Sequence, residues 1–237
     1  MRPPLLACLG LPFLALALLA GPTAAASRPV VVELFTSQSC SSCPPAEALL
    51  KELAAERADL LPLAFHVTYW NHLDWRDTVS LPAATERQKA YAAQFGGDSV
   101  FTPQVVVDGR RSVVGSRRDA VGNAIEEARG EAREAATLDL TRNGDALVVR
   151  VGAGSGAGRL LLVGFDHEHR TKVARGENAG REITQANVVR SIRSVGEWTG
   201  TAKSWSEPVP LGADAALLLQ ASDGRILGAA RLAKAGS

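Results

Sequence analysis

The chain runs to 237 residues, with 26 Lys and Arg set against 25 Asp and Glu. So even a balance, with no basic block, argues against nucleic acid or anionic membrane as the main partner. Of its three cysteines, Cys8 stands apart, while Cys40 and Cys43 form a C-x-x-C pair.

Residues 1–26 open on Arg2, continue through an apolar run from Leu5 to Ala20, and end on Ala24-Ala25-Ala26 before Ser27. This is the pattern of a secretory signal peptide; the run is too short and too interrupted for a membrane span. Leu5-Leu6-Ala7-Cys8 resembles a lipid-attachment box but comes too early to serve as one. The mature chain is then expected to keep roughly 210 residues, enough for one large or two small domains. A periplasmic or secreted location implies an oxidising compartment, where a close cysteine pair is a disulfide unless something reduces it.

From residue 30 to residue 135 strands and helices alternate. Val30 to Thr36 is a nearly continuous apolar run, as in a strand buried on both faces. Pro44 to Ala58 reads as a helix, with Ala46, Leu49, Leu50 and Leu53 on one face and Lys51, Glu52 and Glu56 on the other. A second strand follows from Leu60 to Thr68, then a loop carrying Tyr69, Trp70, His72 and Trp75, then a helix from Pro82 to Phe95. Pro103 to Val107 and Ser112 to Val114, joined by Asp108-Gly109, read as a hairpin. A polar helix from Arg118 to Ala135 closes the unit. The order β-α-β-α-β-β-α is that of the thioredoxin fold.

Beyond Thr137 the helical period disappears. Short alternating runs at 137–141, 146–151, 159–165, 187–193, 201–206, 215–221 and 226–232 are separated by turn signals such as Asn143-Gly144-Asp145 and Asp223-Gly224. The expected architecture is therefore α/β: a leader over 1–26, a thioredoxin-like domain over 27–135, and a small all-β, sandwich-like domain over 136–237.

A C-x-x-C between a strand and a helix can serve as a redox dithiol. Unpaired N–H groups and the dipole at a helix start stabilise a thiolate, so Cys40 is expected to attack and Cys43 to resolve the mixed disulfide. Pro44 lacks an N–H and biases Cys43 away from the helical region, so the helix is expected to begin at Pro44 with Cys43 near its cap. A permanent staple is the competing reading. It is the weaker one, because closing a four-residue ring gives about 2 kcal/mol against nearly 5 for a long loop.

Other residues fall in with the pair. Thr102-Pro103 opens the third strand, where a cis proline in this fold lies against the cysteines and aligns a substrate backbone; the competing reading is a proline at a strand's first residue. Glu33, inside a buried strand, must either accept a proton from Cys43 or meet an Arg or Lys. His66 ends the second strand on the edge that carries the cysteine loop. With Cys40 and Cys43 it would offer copper(I) or zinc a soft ligand set. His72 is a looser candidate, and His167 and His169 share a face if their stretch is extended. Trp70, with Tyr69 and Trp75, is expected to pack beside the site or cover it.

Residues 32–47 (Val-Glu-Leu-Phe-Thr-Ser-Gln-Ser-Cys-Ser-Ser-Cys-Pro-Pro-Ala-Glu), 65–70 (Phe-His-Val-Thr-Tyr-Trp), 101–110 (Phe-Thr-Pro-Gln-Val-Val-Val-Asp-Gly-Arg) and 175–181 (Arg-Gly-Glu-Asn-Ala-Gly-Arg) form an ordered set. Together they resemble an exported bacterial family of unknown function with a thioredoxin-like core. The resemblance spans the mature chain and implies the fold and export, but no substrate. Ser39, Ser41 and Ser42 stand where thioredoxin has Trp, Gly and Pro, a departure that bears on general disulfide reductase activity. The 175–181 segment is expected to be a hydrogen-bonded connection within the β domain, with docking onto the redox domain as the other reading.

The expected function is thiol-disulfide exchange with exported protein thiols or disulfides. Catalytic roles fall to Cys40, Cys43, Pro103 and Glu33, and substrate contacts to Thr102, Trp70 and His66. No motif implies a cofactor. The alternatives are a copper or zinc carrier using Cys40, Cys43 and His66, and a non-catalytic interaction protein with an inert disulfide.

Overall fold

Seven consecutive buried residues make β1 (Val30–Thr36), and its burial on both faces accounts for the unbroken apolar run. In the computed structural model, which describes residues 28–131 and 135–233, β1 sits in an eight-stranded mixed sheet. The expected leader over 1–26, with Cys8, lies outside the described residues. Among the described residues no helix is long and apolar enough to cross a membrane.

After β1 come α1 (Pro44–Glu56), β2 (Leu60–His66), α2 (Pro82–Gln94), β3 (Gln104–Val107), β4 (Arg111–Val114) and α3 (Arg118–Glu131). This is the order read from the sequence; α1, β2, α2 and β3 are shorter than expected by a residue or two, and β4 begins one residue earlier. α1 and α2 both begin on proline, whose missing N–H costs nothing in the first helical turn. α3 is described to Glu131; residues 132–134 lie outside the described set, and Ala135 is not helical. The β3–β4 turn uses Asp108 (φ 50°) and Gly109 (φ 64°), a pair of positive φ values suited to a tight hairpin. Glycine is required there for space as well: a Cβ at Gly109 would lie 2.0 Å from the Gly224 carbonyl oxygen.

Seven more strands complete the chain: β5 (Leu138–Asn143), β6 (Ala146–Val151), β7 (Gly158–Lys172), β8 (Glu182–Trp198), β9 (Lys203–Pro208), β10 (Asp214–Gln220) and β11 (Ile226–Arg231). The sheet order is β11-β10-β7-β8-β2-β1-β3-β4, with β5-β6-β9 as a second, three-stranded sheet. β8 enters parallel to β2, with Ala64 opposite Val188. Pro62 has no N–H, and its carbonyl accepts from the Asn187 amide at 2.8 Å, which helps seat the later strands beside β2. The regions expected at 27–135 and 136–237 thus share one sheet.

β7 and β8 correct the expected strand lengths. They span 15 and 17 residues, not the short runs expected at 159–165 and 187–193. Their outer parts carry Glu168, Arg170, Lys172 and Glu182, which are exposed and give no apolar signal. Ladder pairing from Glu168↔Ala186 to Lys172↔Glu182 holds this arm as a hairpin.

Alternation divides the apolar residues into three cores. Val30, Val32 and Leu34 face α1 and α3, together with Leu60 and Ala64. Val31 and Phe35 face the α2 side, in a core continuous with Leu161, Phe165, Leu218 and Ala229 of the later strands. Trp198, Leu147, Leu162 and Leu217 fill the space between the two sheets. A buried ion pair also links the regions: Arg28 holds Asp108 at 2.8 and 3.0 Å and donates to the Ile226 carbonyl at 3.2 Å.

Candidate functional site

The loop from β1 to α1 carries the Cys40–Cys43 disulfide. Cys40 is 2 % exposed and Cys43 fully buried, while Ser41 and Ser42 face solvent. Backbone bonds tighten the loop, from Cys40 N–H to the Ser37 carbonyl at 3.1 Å and from Cys43 N–H to the Cys40 carbonyl at 3.2 Å. Cys43 is the N-cap of α1, and its carbonyl accepts from Ala46 at 2.9 Å and Glu47 at 3.1 Å. Its φ of −80° and ψ of −33° are helical, contrary to the bias expected from Pro44. The turn bonds on both sides of Cys43 outweigh that preference.

Opposite the pair, the Thr102–Pro103 peptide bond is cis and Pro103 is buried. The Thr102 hydroxyl lies 3.2 Å from Cys40 Sγ, and the Trp70 indole N–H donates to that hydroxyl at 2.9 Å. An indole N–H can only donate, so Thr102 Oγ1 accepts from Trp70 and turns its own hydrogen toward sulfur. Ser42 Oγ lies 3.4 Å from the same sulfur. The structure therefore groups Cys40, Cys43, Thr102, Pro103 and Trp70.

Glu33 lies away from the pair, while His66 ends β2 on the cysteine side but is buried, out of reach of a substrate. Glu33 points to the α2 face, away from the cysteine helix, because it shares its parity in β1 with Val31 and Phe35. It forms a two-pronged ion pair with Arg87, including a 2.9 Å bond from Nη2, and accepts from the Tyr91 hydroxyl at 2.6 Å. The salt-bridge reading holds for this residue. His66 is fully buried, and its Nδ1 lies 2.7 Å from Asp77 Oδ2. Among the described residues no group of three or more His, Cys, Asp or Glu side chains is arranged to hold a metal ion. With Cys40 and Cys43 joined as a disulfide, their sulfurs are not thiolate ligands here.

The carboxylate on the cysteine side is Glu47, one helical turn after Cys43 and 4 % exposed. It accepts from Thr36 Oγ1 at 2.8 Å and Gln185 Nε2 at 2.7 Å, both on Oε1. Burial pushes its pKa up, partly offset by the nearby His66. Burial disfavours the His66 imidazolium, yet the Asp77 and Glu47 carboxylates hold its pKa above the ordinary value. Asp77 also accepts the Gln38 N–H at 2.8 Å and the Val79 N–H at 2.9 Å, and with His66 these keep its pKa low in spite of burial. Sequence reasoning passed over Glu47 and Asp77. For Glu47 a signal existed, since residues four apart on a helix are neighbours.

The 175–181 segment is both a hydrogen-bonded connection and a docking element: Val173 N–H donates to the Arg181 carbonyl at 3.0 Å and Gly180 N–H to the Val173 carbonyl at 2.8 Å. It forms the tip of the β7–β8 arm and docks onto the cysteine loop. Buried Asn178 donates to the carbonyls of Gln38 and Cys40, each at 3.0 Å. Gln38 donates to Thr171 Oγ1 at 3.0 Å and accepts from the Trp75 indole at 3.0 Å. Ser39, His72, Asp74, Trp75, Gly176 and Glu177 line a cavity of about 490 Å³ between arm and aromatic loop. His72 is exposed, its Nδ1 2.7 Å from the Tyr69 carbonyl, and His167 lies 3.3 Å from Asp214.

Residues 31–220 match the family model described as "Protein of unknown function (DUF1223)". The chain belongs to this family. An X-ray crystal structure of a protein from Agrobacterium tumefaciens is similar, with 30% identity and a TM-score of 0.76 over 88% of this chain and 95% of that one. HBP35 of Porphyromonas gingivalis is similar at a TM-score of 0.59, over 86% of this chain and 74% of that one. At 14% identity the second likeness concerns the fold alone. No curated protein matches the chain in sequence.

Proposed function

We propose that this member of the DUF1223 family exchanges its Cys40–Cys43 disulfide with thiols or disulfides of exported proteins, on a thioredoxin-like core formed by β1 to α3. The observation that carries the reading is the hydrogen-bond chain from Trp70 through Thr102 to Cys40 Sγ. A hydroxyl whose hydrogen is directed at sulfur stabilises a thiolate more than a thiol, as charge-assisted bonds do generally. Cys40 is thereby the sulfur best suited to carry charge, and Cys43, fully buried behind it, resolves. Pro103 and Thr102 face the partner's backbone and Trp70 borders the approach. With Cys40 only 2 % exposed, only partners that can approach between Thr102 and Trp70 reach its sulfur. Such a site suits a dedicated exchange protein better than a general reductase. The leader over 1–26 would deliver it to the periplasm or beyond, where partners with disulfides reside.

The test is a Cys43→Ser variant, which leaves Cys40 free to attack but removes the resolving thiol. In exporting cells it is expected to hold mixed disulfides that dissolve on reduction, and Cys40→Ser to hold none. Absence of mixed disulfides, together with an oxidised pair that excess dithiol leaves intact in the folded protein, would sink the reading and favour an inert disulfide.

A further inference from the structure

We infer that Glu47, backed by His66 and Asp77, hands a proton to Cys43 when the disulfide opens and takes it back when the disulfide closes. This rests on the thiol–disulfide reading above.

The geometry starts in α1. Cys43 and Glu47 are four residues apart, both buried, and joined by the Glu47 N–H to Cys43 carbonyl bond at 3.1 Å. Helical side chains lean toward the helix start, so the Glu47 carboxyl leans over the turn that carries Cys43. Its Oε1 takes two hydrogen bonds, from Thr36 and Gln185, while its Oε2 is buried and has no partner. A buried carboxyl oxygen left in this state is a site for a proton.

A second buried atom is in the same state. Thr36 and His66 are register partners in β1 and β2, and both lie on the α1 face of the sheet. His66 Nδ1 faces Asp77 Oδ2, which also receives the Gln38 N–H, so Nδ1 carries hydrogen and Asp77 stays ionised. His66 Nε2 is then the ring atom that gains or loses a proton, and it too is buried without a partner. Two proton-accepting atoms, one on each side of the same interior, share the charge that Asp77 stabilises.

One edge of this interior borders a cavity. Glu47 lines a cavity of about 420 Å³ between α1 and β8, together with Pro44, Lys51, Arg181, Glu182 and Thr184. The charges around the cluster are thus Lys51 on α1, Arg181 beside β8, and Glu182 and Arg190 on it. His169 on β7 adds another titratable neighbour, since it interacts with His66 and Asp77.

Atoms and electrons balance in the exchange. A partner thiolate attacks Cys40 Sγ, the Cys40–Cys43 bond breaks, and Cys43 Sγ leaves with the electron pair. Cys43 takes the proton from the Glu47 carboxyl and becomes a thiol. In the reverse direction Glu47 carboxylate removes that proton as Cys43 attacks the mixed disulfide at Cys40 and expels the partner thiolate.

The test is the rate at which dithiothreitol reduces the oxidised protein across pH, divided by the fraction of dithiothreitol present as thiolate. The wild type is expected to retain an inflection after this correction. In Glu47→Gln the inflection disappears, and the rate on its acid side falls by about tenfold or more. Glu33→Gln, altering a carboxylate on the other face, retains the inflection. If Glu47→Gln folds and keeps the wild-type profile, the inference is overturned while disulfide exchange stands. If the wild-type pair resists reduction altogether, both are overturned. Should Glu47→Gln not fold, His66→Gln takes its place: a shifted inflection supports the inference and an unmoved one overturns it.

Discussion

The two faces of the central sheet bury carboxylates in opposite ways. On the α2 face Glu33 is met by the Arg87 guanidinium on both oxygens and by the Tyr91 hydroxyl, and Gln220 extends the network to β10. On the α1 face Glu47 receives only neutral donors on one oxygen and nothing on the other. The first carboxylate has both oxygens taken up by a guanidinium and is a structural ion pair. The second has one oxygen with no partner, an open position for a proton, and it lies a helical turn from a cysteine.

Breaking the satisfied face should have the largest effect. Arg87→Met would leave the Glu33 carboxylate buried and unpaired, at a cost of about 3–5 kcal/mol in urea unfolding. The same change paired with Glu33→Gln should restore a good part of that loss. The cysteine face comes next: Asn178→Ala removes both donors from the Gln38 and Cys40 carbonyls, and a loss of about 2–4 kcal/mol is expected in the same measurement. It should also speed reduction of the disulfide, since the arm tip would no longer bind the loop.

Thr102→Val tests the site without disturbing either carboxylate. Loss of a hydrogen bond to a charged sulfur, worth about 1.5–3 kcal/mol, should raise the Cys40 thiol pKa by about one to two units in the reduced protein. Absorbance of the thiolate against pH would read this, and an unchanged pKa would remove the support for Cys40 as nucleophile.

The smallest effect is on stability against pH. His66 has its folded pKa above its ordinary value of 6.5, so its contribution is complete below that value and is lost as pH rises through the folded one. Glu47, also raised, acts in the same direction starting from its lower ordinary value of 4.5. The unfolding midpoint of the oxidised protein is therefore expected to fall as pH rises above 6.5, and to fall less in His66→Gln. Equal slopes would show that the buried imidazole carries no differential proton.

Much of the fold was legible in local chemistry. The apolar run at 30–36, the prolines opening α1 and α2, and the Asp108-Gly109 turn each specify an element through short-range sterics and burial. The expectation for Glu33 was open between proton acceptor and ion pair because charge content alone does not tell which face a strand residue takes. Parity in β1 separates it from Thr36, but only the packing of α1 on the even face turns that parity into a distance from the cysteines. The outer arm of β7 and β8 left little apolar signal, because ladder hydrogen bonds hold it and Glu168, Arg170, Lys172 and Glu182 on it face solvent.

By itself the sequence determined the cysteine pair at a strand-to-helix turn, the order of elements through α3, and the strand-rich character of the chain beyond residue 137. These depend on neighbours within a turn or a strand. Tertiary structure alone decided that β8 joins β2, that Asn178 closes over the cysteine loop from 138 residues away, and that Glu47, His66 and Asp77 meet in one interior. Each of those contacts joins groups on different elements, which meet only when folding packs those elements together.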